Sequence, residues 1–178
     1  KIVPLLIEGI KEQQLEIINC IKKECRNHTF FTTSVHVKDF PTNNTTDYPQ
    51  FVNTIFSDNL IYNPFLFTHS YSLLDINKLS NRFIQRIKIN TTFPYPKNNK
   101  DMYGPIHIDS NIKKSISIIY YVNNSDGDTF FFDKKLNTVK RISPRQGRAV
   151  VFNSNMRHAA CCPINSVYRQ VINFVLHK

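Results

Sequence analysis

Pro105-Ile-His-Ile-Asp109, with Ser115-Ile-Ser-Ile-Ile-Tyr-Tyr-Val122 close behind it, sets the reading of the whole chain. In an extended strand residues i and i+2 point to the same face, so His107 and Asp109 can reach one metal ion while Ile108 packs behind them. His158 follows a second hydrophobic run, Ala149-Val-Val-Phe152, and Arg169 opens a third, Arg169-Gln-Val-Ile-Asn-Phe-Val-Leu176. Two imidazoles and one carboxylate on one side leave the opposite octahedral face open, which suits a mononuclear non-haem iron(II). Arg169, eleven residues after His158, offers a fixed cationic fork that can grip a carboxylate through two parallel hydrogen bonds. A lone His-x-Asp arises often by chance, and a lone His158 reads as a buried, satisfied histidine. The ordered set, each member at or near a strand, carries the metal-site reading. Ligands drawn from strands far apart in sequence require a sheet closed or folded onto itself.

Working outward, Arg82-Phe-Ile-Gln-Arg-Ile-Lys-Ile-Asn90 reads as a strand and Thr129-Phe-Phe-Phe132 as another, after a turn at Asp126-Gly127. About seven or eight short strands then fill the second half. Residues 11–25 place Leu15, Ile18, Ile21 and Cys25 on one helical face. Pro41 to Thr46 has turn chemistry, and a short helix is expected near Tyr48–Phe56. Asn63 to Leu79, with Phe65, Phe67, Tyr71 and Leu74, reads as core. The expectation is one domain over 1–178, with a helical and irregular support region at 1–81 and a jelly-roll core at 82–178. The fold class is mostly β with flanking helices around a double-stranded β-helix, cupin-like core.

At 178 residues with 41% hydrophobic content the chain can bury a full core, and no apolar run approaches a membrane span. Its net charge of +10 permits attraction to nucleic acid, but the lysines are scattered. The densest cluster, Lys134 to Arg148, is as well explained as a solvated rim around an anionic-substrate pocket. Cys20, Cys25, Cys161 and Cys162 contain no C-x-x-C pair, so a zinc ribbon fails and reduced thiols are expected. With no signal peptide at Lys1–Ile7, a cytoplasmic location follows as the expectation, a host cytoplasm if the source is viral. Asn-rich sequons such as Asn90-Thr-Thr92 carry little weight without secretion.

The order of these parts resembles the iron(II)/2-oxoglutarate-dependent dioxygenases, in particular the prolyl-hydroxylase-like branch and its small single-domain bacterial and viral members. The parts are Pro105-Ile-His-Ile-Asp109, Ile118-Ile-Tyr-Tyr-Val-Asn123, Gly127-Asp-Thr129, Pro144-x-x-Gly147, His158 and Arg169, spread over residues 82–176. The resemblance implies that His107, Asp109 and His158 bind Fe(II) as the catalytic metal site. It implies that Arg169 pairs with the distal carboxylate of 2-oxoglutarate, with Tyr121 adding a hydrogen bond and Tyr120 pointing away. It further implies that O2 is the cosubstrate and that a peptide or small molecule is hydroxylated while 2-oxoglutarate becomes succinate and CO2. Many relatives carry a serine two residues after the arginine; here that residue is Val171. Where relatives often have Gly-Gly, this chain has Asp126-Gly127, which weakens any case for proline as substrate. Two rival functions stay open: a nucleic-acid-modifying oxygenase with Phe93 and Tyr95 as stacking residues, and a non-enzymatic jelly-roll binding module. Pro94 to Pro105 is read as a loop over the pocket mouth, with Tyr95 and Tyr103 its candidate substrate contacts.

Overall fold

A computed structural model describes residues 4–8, 12–27, 31–33, 45, 48–96 and 99–178. The turn expected over Pro41 to Thr46 lies, but for Thr45, outside the described residues. The first part of the chain supplies β1 (Leu5–Ile7), α1 (Glu12–Asn27), β2 (Phe31–Thr33), β3 (Gln50–Ser57), β4 (Leu60–Ile61) and α2 (Pro64–Ile76). The second supplies β5 (Phe83–Thr92), β6 (Ile116–Tyr121), β7 (Thr129–Phe132), β8 (Thr138–Ile142), β9 (Ala149–Asn153), β10 (His158–Ala160) and β11 (Arg169–His177).

The strands form two antiparallel sheets that together make the double-stranded β-helix. The larger has eight strands in the order β1-β9-β6-β11-β5-β3-β2, with β4 hanging from β3. The smaller runs β10-β7-β8. His107 extends the smaller sheet through an isolated antiparallel bridge to His158. The first part of the chain therefore contributes four strands to the larger sheet as well as two helices.

Strand alternation sorts the hydrophobic residues into layers. Ile119, Tyr121, Phe131, Val150, Phe152 and Val171 fill the space between the sheets. On the outer face of the larger sheet, Ile87, Ile89, Ile118, Tyr120, Ile172 and Phe174 pack with both helices. Tyr120 and Tyr121 thus point to opposite layers, as alternation requires. A third layer of Tyr103, Ile106, Phe130 and Phe132 closes the outer face of the smaller sheet.

The helices follow from caps and spacing. Asn63 accepts a hydrogen bond from Leu66 N at 2.9 Å, and Pro64 sits in the first turn, where its missing N–H costs nothing. The stretch from Asn63 to Leu79 is core as expected, but through Leu66, Leu73 and Leu74; Phe65 and Tyr71 face solvent. In α1 the buried stripe is Gln14, Ile18, Ile21 and Cys25, and Leu15 is 42% exposed. Tyr48–Phe56 is not a helix: β3 covers most of it, pairing with β5 and with β4 across the Asp58-Asn59 turn, whose residues have φ of 52° and 60°.

Candidate metal centre

The site begins with a backbone exchange between two histidines. His107 N donates to His158 O and His158 N donates to His107 O, both at 3.0 Å. The expected strand around His107 is thus reduced to one bridge, and Ile106 rather than Ile108 enters the core. The bridge places the two rings 4.4 Å apart between centroids. Each ring is oriented by a carbonyl two residues upstream: His107 Nδ1 lies 3.0 Å from Pro105 O, and His158 Nδ1 3.0 Å from Met156 O. A carbonyl only accepts, so each Nδ1 carries the hydrogen and each Nε2 lone pair is left for a ligand.

Asp109 completes the cluster. Its N–H donates to Ser154 O at 2.8 Å, tying it to the turn before β10. Arg86 Nη2 donates to Oδ1 at 3.1 Å, and Asn173 Nδ2 donates to Oδ2 at 3.3 Å. His158 Nε2 is 3.6 Å from Oδ2, and one ligand atom from each of His107, Asp109 and His158 lies within 4.8 Å of the others. Burial alone would raise the Asp109 carboxyl, but His158, His107, the Ser117 hydroxyl and Arg86 together hold it below the usual carboxylate range. Burial, with the neighbouring His107, lowers His158 to about 4 against the opposing pull of Asp109. Near neutral pH the cluster therefore offers a carboxylate and a neutral imidazole, the forms that ligate metals.

Arg169 lies on the same interior face and is only 2% exposed. Its Nε donates to Gly127 O at 2.8 Å and its Nη2 to Thr129 Oγ1 at 2.9 Å. Tyr121 shares Thr129 through a 2.7 Å hydroxyl contact, and the guanidinium carbon stands 5.7 Å from the Tyr121 ring centroid. Gly127 is required at this seat. A Cβ there would come within 2.5 Å of Cys161 O and 3.0 Å of Arg169 Cδ. Among the described residues no carboxylate pairs with Arg169. A guanidinium buried without a counter-ion is costly. Opposite it in register stands Thr92, fully buried, whose hydroxyl has no hydrogen-bond partner among the described residues.

All five residues singled out from sequence thus line one interior. Tyr103 does not belong with them: it is 5% exposed and packs on Phe130 and Phe132, so it anchors the loop instead of meeting a substrate. Arg86, Thr92, Thr129 and Asn173 were not singled out. For Arg86 the signal was present, since Arg86, Lys88 and Asn90 alternate with Ile87 and Ile89 along one strand.

Residues 95–177 match the family model described as the 2OG-Fe(II) oxygenase superfamily. They belong to that superfamily. A search of curated protein sequences gives no match. Among solved structures, a 2OG-Fe(II) oxygenase family oxidoreductase from Burkholderia pseudomallei aligns with a TM-score of 0.72 at 15% identity, covering 98% of this chain and 84% of that one. A prolyl hydroxylase from Trichoplax adhaerens, in complex with a hypoxia inducible factor peptide fragment, gives 0.63 at 15% identity, covering 98% and 83%. The carbocyclase SnoK from nogalamycin biosynthesis gives 0.69 at 9% identity, covering 98% and 79%. At these identities the likenesses establish the fold, and the family matched over residues 95–177 is one of oxygenases that use iron and 2-oxoglutarate. The interior fits both groups: two free Nε2 atoms with a carboxylate for the metal, and a buried, unpaired cation beside an orphaned hydroxyl for the acid.

Proposed function

We propose that this oxygenase hydroxylates a peptide or small-molecule substrate in one domain, with residues 1–81 supporting a core at 82–178. In this reading His107, Asp109 and His158 hold Fe(II). Arg169 takes the distal carboxylate of 2-oxoglutarate, with the Tyr121 and Thr129 hydroxyls beside it. The observation that carries this reading is Arg169, buried with no carboxylate partner among the described residues and on the same interior face as the three ligands.

Iron and 2-oxoglutarate, when held there, would supply the oxidation chemistry, in which O2 oxidises a substrate C–H bond to C–OH and 2-oxoglutarate to succinate and CO2. The residues do the rest. Pro105 and Met156 carbonyls fix the imidazoles, while Arg86 and Asn173 keep the Asp109 carboxylate oriented and ionised. Phe131 stacks on His158 and Phe152 meets it edge-on, and with Val150 and Val171 they exclude water from the metal's flank.

The substrate is read as a peptide or small molecule before nucleic acid because two arginines of the basic cluster are already engaged by carboxylates. Arg141 is caught between Asp101 and Asp128, and Arg148 pairs with Glu8. Phe93 meets Phe51 in an edge-to-face contact at 5.3 Å and remains 45% exposed. The test is succinate formation that requires Fe(II), 2-oxoglutarate and O2, followed by a substrate screen for the mass gain of one oxygen atom. Succinate formation in the absence of added iron, or a lack of any under all conditions, would remove the reading.

A further inference from the structure

The polar side of β5 carries charge that the metal and cosubstrate do not use. Arg86, Lys88 and Asn90 alternate with Ile87 and Ile89, which are fully buried in the outer core. Register sets Lys88 opposite Asn173 on β11, and Asn90 opposite Val171. The three polar side chains therefore share the interior face with Arg169 and Asn173. Lys88 is four residues from Thr92, about 13 Å along the strand, so this polar row extends from the Arg169 end toward Asp109 and beyond.

Iron(II), the Asp109 carboxylate, the two carboxylates of 2-oxoglutarate and Arg169 balance to zero. Arg86 and Lys88 are then two positive charges in excess. Lys88 is half-buried and forms no ion pair among the described residues; solvent-exposed Asp58 acts on it only through space. Burial, then Arg86, lowers its pKa, and Asp109 and Asp58 oppose this. Arg86 gives Nη2 to Asp109, but its Nε is buried with no partner among the described residues. Asn173, 6% exposed, commits its Nδ2 to Asp109, so its partnerless Oδ1 is a true acceptor; Asn90 Oδ1 is also buried without a partner. Unmet charge and unmet hydrogen bonds along one interior face describe a ligand's outline.

Building on the function proposed above, we propose that Arg86 and Lys88 form a subsite for an anionic group, a carboxylate or a phosphate, carried by the substrate. Asn173 Oδ1 and Asn90 Oδ1 accept from N–H or O–H groups of the same molecule. Arg86 then has two tasks, orienting Asp109 and meeting the substrate, while Lys88 acts on substrate alone.

The test uses the full chain loaded with redox-inert Mn(II) and saturating 2-oxoglutarate, whose binding is measured first. Calorimetric titrations at fixed ionic strength then compare phosphoserine with serine, and N-acetylglutamate with N-acetylglutamine. At least one charged probe should bind tenfold or more tightly than its neutral match, and the responding pair identifies phosphate or carboxylate. Lys88→Gln should remove that preference at least tenfold while leaving 2-oxoglutarate affinity unchanged. No charge preference in either pair, or a preference that survives Lys88→Gln, overturns the subsite alone. Absence of Mn(II) or 2-oxoglutarate binding in the unaltered protein overturns the parent reading, and the subsite with it.

Discussion

Thr92 is the residue through which the proposed 2-oxoglutarate seat is most simply tested. Relatives often place a serine two positions after the arginine, and Val171 cannot serve; Thr92, across the strand pair from Arg169, brings a hydroxyl to the same end of the interior. Without a ligand that hydroxyl is fully buried and unpaired, a state that costs about 1–3 kcal/mol. Thr92→Val should therefore raise the melting temperature of the ligand-free protein while weakening 2-oxoglutarate binding about tenfold, read by calorimetry. A variant that changes neither quantity takes Thr92 out of the site. Arg169→Lys should weaken the same binding by a similar factor, because a point charge replaces a fork held at two of its nitrogens.

At the scale of elements, what was legible depended on whether the pattern in sequence was local. The β6, β9 and β11 strands and the alternation of Tyr120 and Tyr121 follow from apolar runs of the right length. β3 was misread for a physical reason: a bulge between Thr54 and Phe56 breaks its alternation, so Val52 and Ile55, three apart, are buried as they would be in a helix. In α1, Gln14 takes the buried place and Leu15 is left outside, because tertiary packing set the rotation of the helix. Orphaned polar atoms such as Thr92 Oγ1 carry no sequence signal at all. The segment before β11 is held by another such device. The Asp126 carboxylate accepts from the backbone N–H groups of Ile164, Asn165 and Ser166. Burial would raise its pKa, but these bonds prevail and carry it from 3.8 to about 2. A depressed carboxyl stabilises the fold above its unfolded pKa and loses that contribution as pH falls through the folded value. Thermal melts of Asp126→Asn should accordingly show a shallower loss of stability between pH 4 and pH 2 than the unaltered chain. Parallel curves across that window would show that the carboxylate does not tie the segment down.

For the molecule as a whole, the site joins the two sheets. His158 and the bridged His107 belong to the smaller sheet; Arg86 and Asn173, which bond Asp109, and Arg169, the proposed partner of the cosubstrate, belong to the larger. Metal with 2-oxoglutarate at a hundredfold its dissociation constant should add about 2.7 kcal/mol, a rise of roughly 5–10 °C in a domain of this size, within a single unfolding transition. Two separate transitions, only one of them ligand-sensitive, would mean that the sheets are not coupled through the site. The same joining makes the central claim directly measurable. Fe(II) is titrated anaerobically into the protein with excess 2-oxoglutarate, following the visible charge-transfer absorption of the chelate, for the unaltered chain and for His107→Ala, Asp109→Ala and His158→Ala. The account predicts saturation at one equivalent for the unaltered protein and loss of the band in all three variants. A band of undiminished strength and stoichiometry in any of them would contradict it.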